Sequence, residues 1–174
     1  MTRIVRSLAA LAALWLLAGC GPTTPEGIEP VRGFDTQRYM GRWYEIARLD
    51  HRFERGMEQV TAEYTLRADG TVEVVNRGYV TADAEWREAR GKARFVGSPE
   101  VGALEVSFFG PFYGGYNVVE LDPGYQHALV AGPDRSYLWI LSRTPEPPRA
   151  VIERLVARAD SFGFDTGSLI YVRH

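Results

Sequence analysis

A single cysteine, Cys20, closes an apolar run in the stretch LWLLAGCGPTT, Leu14 to Thr24. A lone thiol cannot form an internal disulfide, and with no His, Asp or Glu beside it in sequence it makes a poor metal site. What its surroundings offer instead is modification of the sulfur itself. The other residues suited to acid–base or metal chemistry are three histidines, His51, His127 and His174. The pattern places His51 in a loop, His127 on a strand surface and His174 at the terminus. There is no Gly-x-Ser-x-Gly elbow, no His-Glu-x-x-His, no phosphate-binding glycine loop and no paired-cysteine motif. The sequence therefore names no catalytic residue, no metal ligand and no cofactor. Catalysis survives only as a Ser–His pair assembled across loops, because such groups are recognised by geometry and not by order.

The residues before Cys20 explain its position. Arg3 and Arg6 give a positive start, Leu8 to Ala18 are apolar, and the small residues Ala18 and Gly19 precede the cysteine. That is the layout of a secretory signal. The run is also well short of the roughly 20 residues that span a bilayer as a helix. The tetrapeptide LAGC resembles the lipobox of bacterial lipoproteins. The resemblance implies that the Cys20 sulfur receives a diacylglyceryl group, that the chain is cut before it, and that the new amino group is acylated. Residues 1–19 are then a signal peptide, and 20–33 a lipidated cysteine with a flexible tether, GPTTPEGIEP being too poor in apolar periodicity to order itself. Gly21 stands where an Asp favours inner-membrane retention. The expected location is the outer membrane, lipid-anchored on its periplasmic side.

Residues 34–174 remain, one domain's worth and enough for a real core. Without Arg3 and Arg6 the chain has 18 basic against 22 acidic residues, a net charge of −4. No basic stripe appears, which argues against a nucleic-acid partner. Apolar and polar residues alternate over eight short runs, 42–49, 57–66, 71–80, 86–96, 102–109, 115–121, 125–131 and 136–142. Turn signals separate them, among them RADG, GSPEVG, DPG and GPDRS. Short strands so spaced predict an antiparallel barrel or sandwich. Ile152, Leu155, Val156 and Ala159 recur at helical spacing after Pro147, with Gly163 as a stop. SLIYVRH reads as a short last strand.

At this level the sequence becomes specific. FDTQRYMGRWYEIARLDHRFERG carries the Gly-x-Trp signature of the lipocalins at Gly41 and Trp43, and YLWILSRTP carries the family's arginine at Arg143. VVELDPGYQHALVAGPD occupies the place of the middle motif, with Leu121, Asp122 and Tyr125 as an imperfect match. Over about 34–174 the chain resembles lipocalins, and among them the bacterial outer-membrane lipoproteins and the apolipoprotein D group. The resemblance implies an all-β fold: an eight-stranded antiparallel up-and-down barrel, one C-terminal helix packed outside, and a short final strand. It implies a barrel floor in which Arg143 lies over Trp43 beside Gly41. It also implies fatty acid or lysophospholipid ligands, moved or stored for envelope maintenance under stress. A homodimer is compatible with it, although no stretch demands one.

Strand parity then nominates an inner face, since alternate side chains share a side. Ala47 follows Trp43 and Glu45. Ala62 and Tyr64 share a face on the second strand, with Asn76 on the third, Val106 and Phe108 on the fifth, and Tyr116 and Val118 on the sixth. Trp139 and Leu141 share the face of Arg143. Small residues at Ala47, Ala62 and Gly78 favour a cavity over a filled core. His51, Arg52, Arg55 and Tyr113 are nominated for the rim. Two other functions stay open: an interaction scaffold with a filled barrel, and, more remotely, a lipid-modifying enzyme.

Overall fold

The computed structural model describes residues 23–174. The leader and Cys20 lie outside the described residues. Eight strands follow in chain order: β1 (Gly41–Arg48), β2 (Met57–Leu66), β3 (Val72–Val80), β4 (Glu85–Phe95), β5 (Ala103–Phe109), β6 (Phe112–Leu121), β7 (His127–Ala131) and β8 (Leu138–Ser142). Each pairs antiparallel with the next, and β1 pairs with both β2 and β8, so the sheet closes into the expected barrel. Closure removes the open edges that an eight-stranded sheet would otherwise present. A four-residue helix, α1 (Thr36–Tyr39), leads into β1 under an Asp35 cap. Helix α2 (Arg149–Ser161) and strand β9 (Ile170–Tyr171) lie outside, β9 pairing with the end of β1.

Two apolar layers result, one on each side of the wall. The inner layer includes Trp43, Tyr64, Val74, Leu104, Val118 and Leu141. The outer layer sets Ile46, Val119, Leu129 and Ile140 against Leu155 and Ala159 of α2. Leu155 and Ala159 are four residues apart and so share one helix face. On the flank of that face Arg154 and Arg158 reach Glu120 of β6 at 3.6 and 3.2 Å. A wall covered on both sides explains why Ala128–Ala131 are all buried. Gly163, at φ +79°, ends the helix in a conformation that a side chain would strain.

Two expectations need correction. Ala47 does not face the interior. The β1–β8 register slips between Glu45 and Ala47, so Glu45 opposes Leu141 while Ala47 opposes Ile140. One extra residue reverses the parity beyond it. Ala47 joins the outer layer under α2 and is completely buried there, and Arg48 turns inward.

The tether is not free over its described part. The Val31 N–H donates to Val118 O and the Gly102 N–H to Val31 O, each at 2.9 Å. Ile28 is buried in the outer layer. Asn117 Nδ2 donates to Thr23 O at 2.6 Å, while its Oδ1 accepts from Thr24 Oγ1 at 3.0 Å. Backbone pairing plus two apolar anchors hold a stretch whose composition predicted mobility.

Candidate functional site

The floor is built where α1 meets β1. Gly41, at φ +91°, makes the turn that β1 needs to start, and a Cβ there would meet Arg143 Nη1 at 3.5 Å. Trp43 is completely buried, and its Nε1–H donates to Tyr39 O at 2.9 Å. Arg143 Cζ stands 3.9 Å from the centre of the Trp43 ring, well inside cation–π range. The same guanidinium donates to Arg38 O, Met40 O and Arg42 O at 2.8–2.9 Å, and through Nε to Tyr125 O at 3.2 Å. It thereby satisfies carbonyls around the end of α1 that no further helix turn would reach. Floor and lead-in are one hydrogen-bonded plug.

Against the plug the hydroxyls of Tyr39, Tyr116 and Tyr64 form a chain, 2.7 Å from the first to the second and 2.9 Å from the second to the third. Burial pushes all three phenols up, so they remain neutral donors and acceptors. Ala62, Val106, Phe108, Val118 and Leu141 belong to the same inner cluster as these tyrosines. Asn76 stands opposite Ala62 in the β2–β3 ladder and shares its face, and its buried Oδ1 has no hydrogen-bond partner.

The mouth is polar in a way the floor is not. Arg48, brought inward by the β1 bulge, is almost fully buried. Its Nη1 lies 2.8 Å from Glu45 Oε1, and its Nη2 donates to Glu54 O at 2.7 Å. Trp139 Nε1–H donates to Glu54 Oε2 at 3.2 Å. His51 Nε2 sits 3.0 Å from the same oxygen, but the approach is poor for a hydrogen bond, and neither ring nitrogen is satisfied. Burial, then the like charge of Glu54, drive the Glu45 carboxyl well above its ordinary range against the pull of Arg48. Burial would also raise Glu54, but the neighbouring His51 ring and the hydrogen bond from Trp139 outweigh it and hold that carboxyl low.

Nine nominated lining residues face the barrel interior: Ala62, Tyr64, Asn76, Val106, Phe108, Tyr116, Val118, Trp139 and Leu141. Burial varies over the inner face: Trp43 and Val118 are fully buried, whereas Ala62, Asn76, Val106, Phe108 and Trp139 keep part of their surface exposed. Of the nominated rim residues, His51 is not exposed but packs on the ring of Trp139 at 5.2 Å. Arg55 pairs with Asp50, Arg52 lies over Phe53, and Tyr113 is partly exposed under Arg94.

Sequence reasoning missed Arg48, Glu54 and Tyr39. Only Glu45 had a signal, since it shares the parity of Trp43. His127 sits beside Asp122 and the terminal His174 bonds to Glu45 O. Among the described residues no three His, Cys, Asp or Glu side chains converge on a metal position.

A family model described as a lipocalin-like domain matches residues 34–174. The chain belongs to the lipocalin family. Members of that family are binding proteins for small hydrophobic molecules. The chain is 54% identical over 172 residues to outer membrane lipoprotein Blc of Escherichia coli K12, covering 98% of this chain and 97% of that protein. It is 50% identical to outer membrane lipoprotein Blc of Vibrio cholerae, covering 97% and 99%. Mouse apolipoprotein D is 31% identical over 95% of this chain and 92% of its own length. Insecticyanin of the tobacco hornworm superposes with a TM-score of 0.69 at 20% identity over 88% of this chain and 87% of that one, a likeness of fold. The names of the two bacterial relatives agree with an outer-membrane location for this lipocalin.

Proposed function

We propose that this lipocalin is held at the outer membrane by acyl chains on Cys20 and binds a fatty acid or lysophospholipid in its barrel, storing or moving lipid for envelope maintenance. The observation that supports the reading is the inner face of the barrel: a floor closed by Trp43 and Arg143, partly exposed side chains such as Ala62, Val106 and Phe108 within it, and the Arg48, Glu45 and Glu54 cluster toward the open end. An acyl chain fits that interior tail-down, with its head near Arg48. Burying about fifteen methylenes at roughly 0.8 kcal/mol each gives a gross gain near 12 kcal/mol. Association and ordering costs remove a large share, leaving micromolar or tighter binding. The anchor needs more than one acyl chain, because one alone binds membranes only marginally.

Solvent extraction of the purified protein, followed by mass spectrometry, tests the ligand class. Acyl lipids in near-stoichiometric amount support it, and their absence together with no displacement of a fluorescent fatty acid contradicts it. Replacing Cys20 with Ala tests the anchor: the variant is expected to leave the membrane fraction.

A further inference from the structure

The connections between strands alternate between the two ends of the barrel. Those at 49–56, 81–84, 110–111 and 132–137 all lie at the open end, opposite the Trp43 floor. Large exposed aromatic residues concentrate there. Phe109 and Phe112, flanking the β5–β6 turn, are 79% and 78% exposed, Phe53 in the β1–β2 connection is 57% exposed, and Trp86 at the start of β4 is 46% exposed. A soluble surface rarely presents apolar side chains in such concentration without a partner.

The path of the N-terminal segment says which partner. From Phe34, whose N–H donates to Glu100 O near the floor, the chain runs backward up the outside wall. It passes Val118 at Val31, and Arg135 Nη2 of the β7–β8 connection donates to Glu26 O. Thr23 lies on Gly115, close enough that no side chain fits there, and Gly115 is three residues from Phe112. The described chain therefore begins at the open rim, beneath the exposed phenylalanine pair. Cys20 is three residues further back, at most about 10 Å of extended chain.

We infer that the open rim docks onto the bilayer that carries the anchor, with Phe109 and Phe112 inserted at its surface and the barrel mouth facing the lipid. The inference rests on the proposed acylation of Cys20. A short leash fixes one side of the rim at the membrane, and the aromatic pair beside it sets the tilt. Arg55 is matched by Asp50, and Arg87 by Asp83 and Glu85, whereas Arg52 lies over the Phe53 ring, so the aromatic side chains carry most of this contact. A mouth held against the bilayer takes up or releases an acyl chain without exposing it to water.

The test uses the full-length acylated protein in phosphatidylethanolamine–phosphatidylglycerol vesicles, with and without brominated acyl chains. Two reporters are compared, Phe112→Trp at the open rim and Arg67→Trp at the closed end, each made in a Trp86→Phe parent and read as the difference from that parent, so that Trp43 and Trp139 cancel. The rim reporter is expected to shift to the blue and lose at least half its emission to bromine, with the closed-end reporter unchanged, and to respond equally at low and high salt. Equal, weak quenching of both reporters in protein that still floats with the vesicles overturns the docking and leaves the anchor standing. Protein that does not float overturns the anchor and the docking together. A blue shift without quenching, at twice the monomer mass, assigns the rim to a second copy and overturns the proposal.

Discussion

The two ends of the barrel solve opposite problems with the same kinds of residue. At the floor an arginine and a tryptophan, Arg143 and Trp43, are joined to each other and to backbone carbonyls, with the Trp43 N–H and every Arg143 nitrogen finding an acceptor. At the mouth an arginine and a tryptophan, Arg48 and Trp139, share a cluster with Glu45, Glu54 and His51, in which Arg48 Nε and both His51 nitrogens lack partners. Buried polar groups without partners each cost free energy, so a fold tolerates them where a later contact can use them. The floor is finished by folding. In the proposed function, the mouth is left for a ligand to finish.

That contrast can be broken from either end. The largest effect is expected at the floor. Trp43→Ala opens a sealed, fully packed position and strands Arg143 above it, costing about 3–5 kcal/mol. Chemical denaturation checks this, and a loss below 1 kcal/mol would remove the floor's claim to be structural. Arg48→Ala comes next, at about 3 kcal/mol, because it leaves the buried Glu45 and Glu54 carboxyl groups without their cation. A double change of Glu45 and Arg48 to Gln and Met is expected to recover most of that loss, which separates the ion pair from simple packing.

The wall between the ends gives a smaller effect. Asn117→Ala leaves the carbonyl of Gly132 and the Thr23–Thr24 stretch without their side-chain partner, costing about 1–3 kcal/mol. Hydrogen exchange is expected to speed up at Ile28 and Val31 while the amides of β2 and β3 stay protected.

The smallest effect is one of pH. Folding raises the Glu45 carboxyl, so the native state keeps that proton to higher pH than the unfolded chain does. The stability linked to it is present at low pH and lost as pH rises through the raised native value. Wild type is therefore expected to lose about 2–4 °C more of its melting temperature than Glu45→Gln between mildly acidic and alkaline pH, the size of roughly 1 kcal/mol in such a domain. Parallel pH profiles for the two would show that Glu45 does not charge late.

The sequence makes the floor legible and the mouth largely illegible, for physical reasons. Gly41, Trp43 and Arg143 carry fixed chemical roles at fixed positions, and alternation locates the strands around them. The β6 strand was placed at 115 but begins at Phe112, because Gly114 and Gly115 read as turn residues and yet continue the ladder beneath Thr23. The bulge that turns Arg48 inward and Ala47 outward leaves no mark in the alternation, because register is decided by β8 across the ladder. Ile28 and Val31 were too sparse among prolines and glycines to signal a docked segment. Their order comes from backbone pairing with distant residues, which composition does not encode.

The division between floor and mouth requires that ligand meet the Trp139 end of the barrel interior and not the Trp43 end. Titration of a fluorescent fatty acid into wild type, Trp139→Ala and Trp43→Ala, each with its melting curve, tests it most directly. Trp139→Ala is expected to lose affinity by tenfold or more with a modest change in melting temperature. Trp43→Ala is expected to melt far earlier while binding normally at temperatures where it is folded. A Trp139→Ala protein that binds like wild type, or a Trp43→Ala protein that loses affinity while melting like wild type, would contradict the division between floor and mouth.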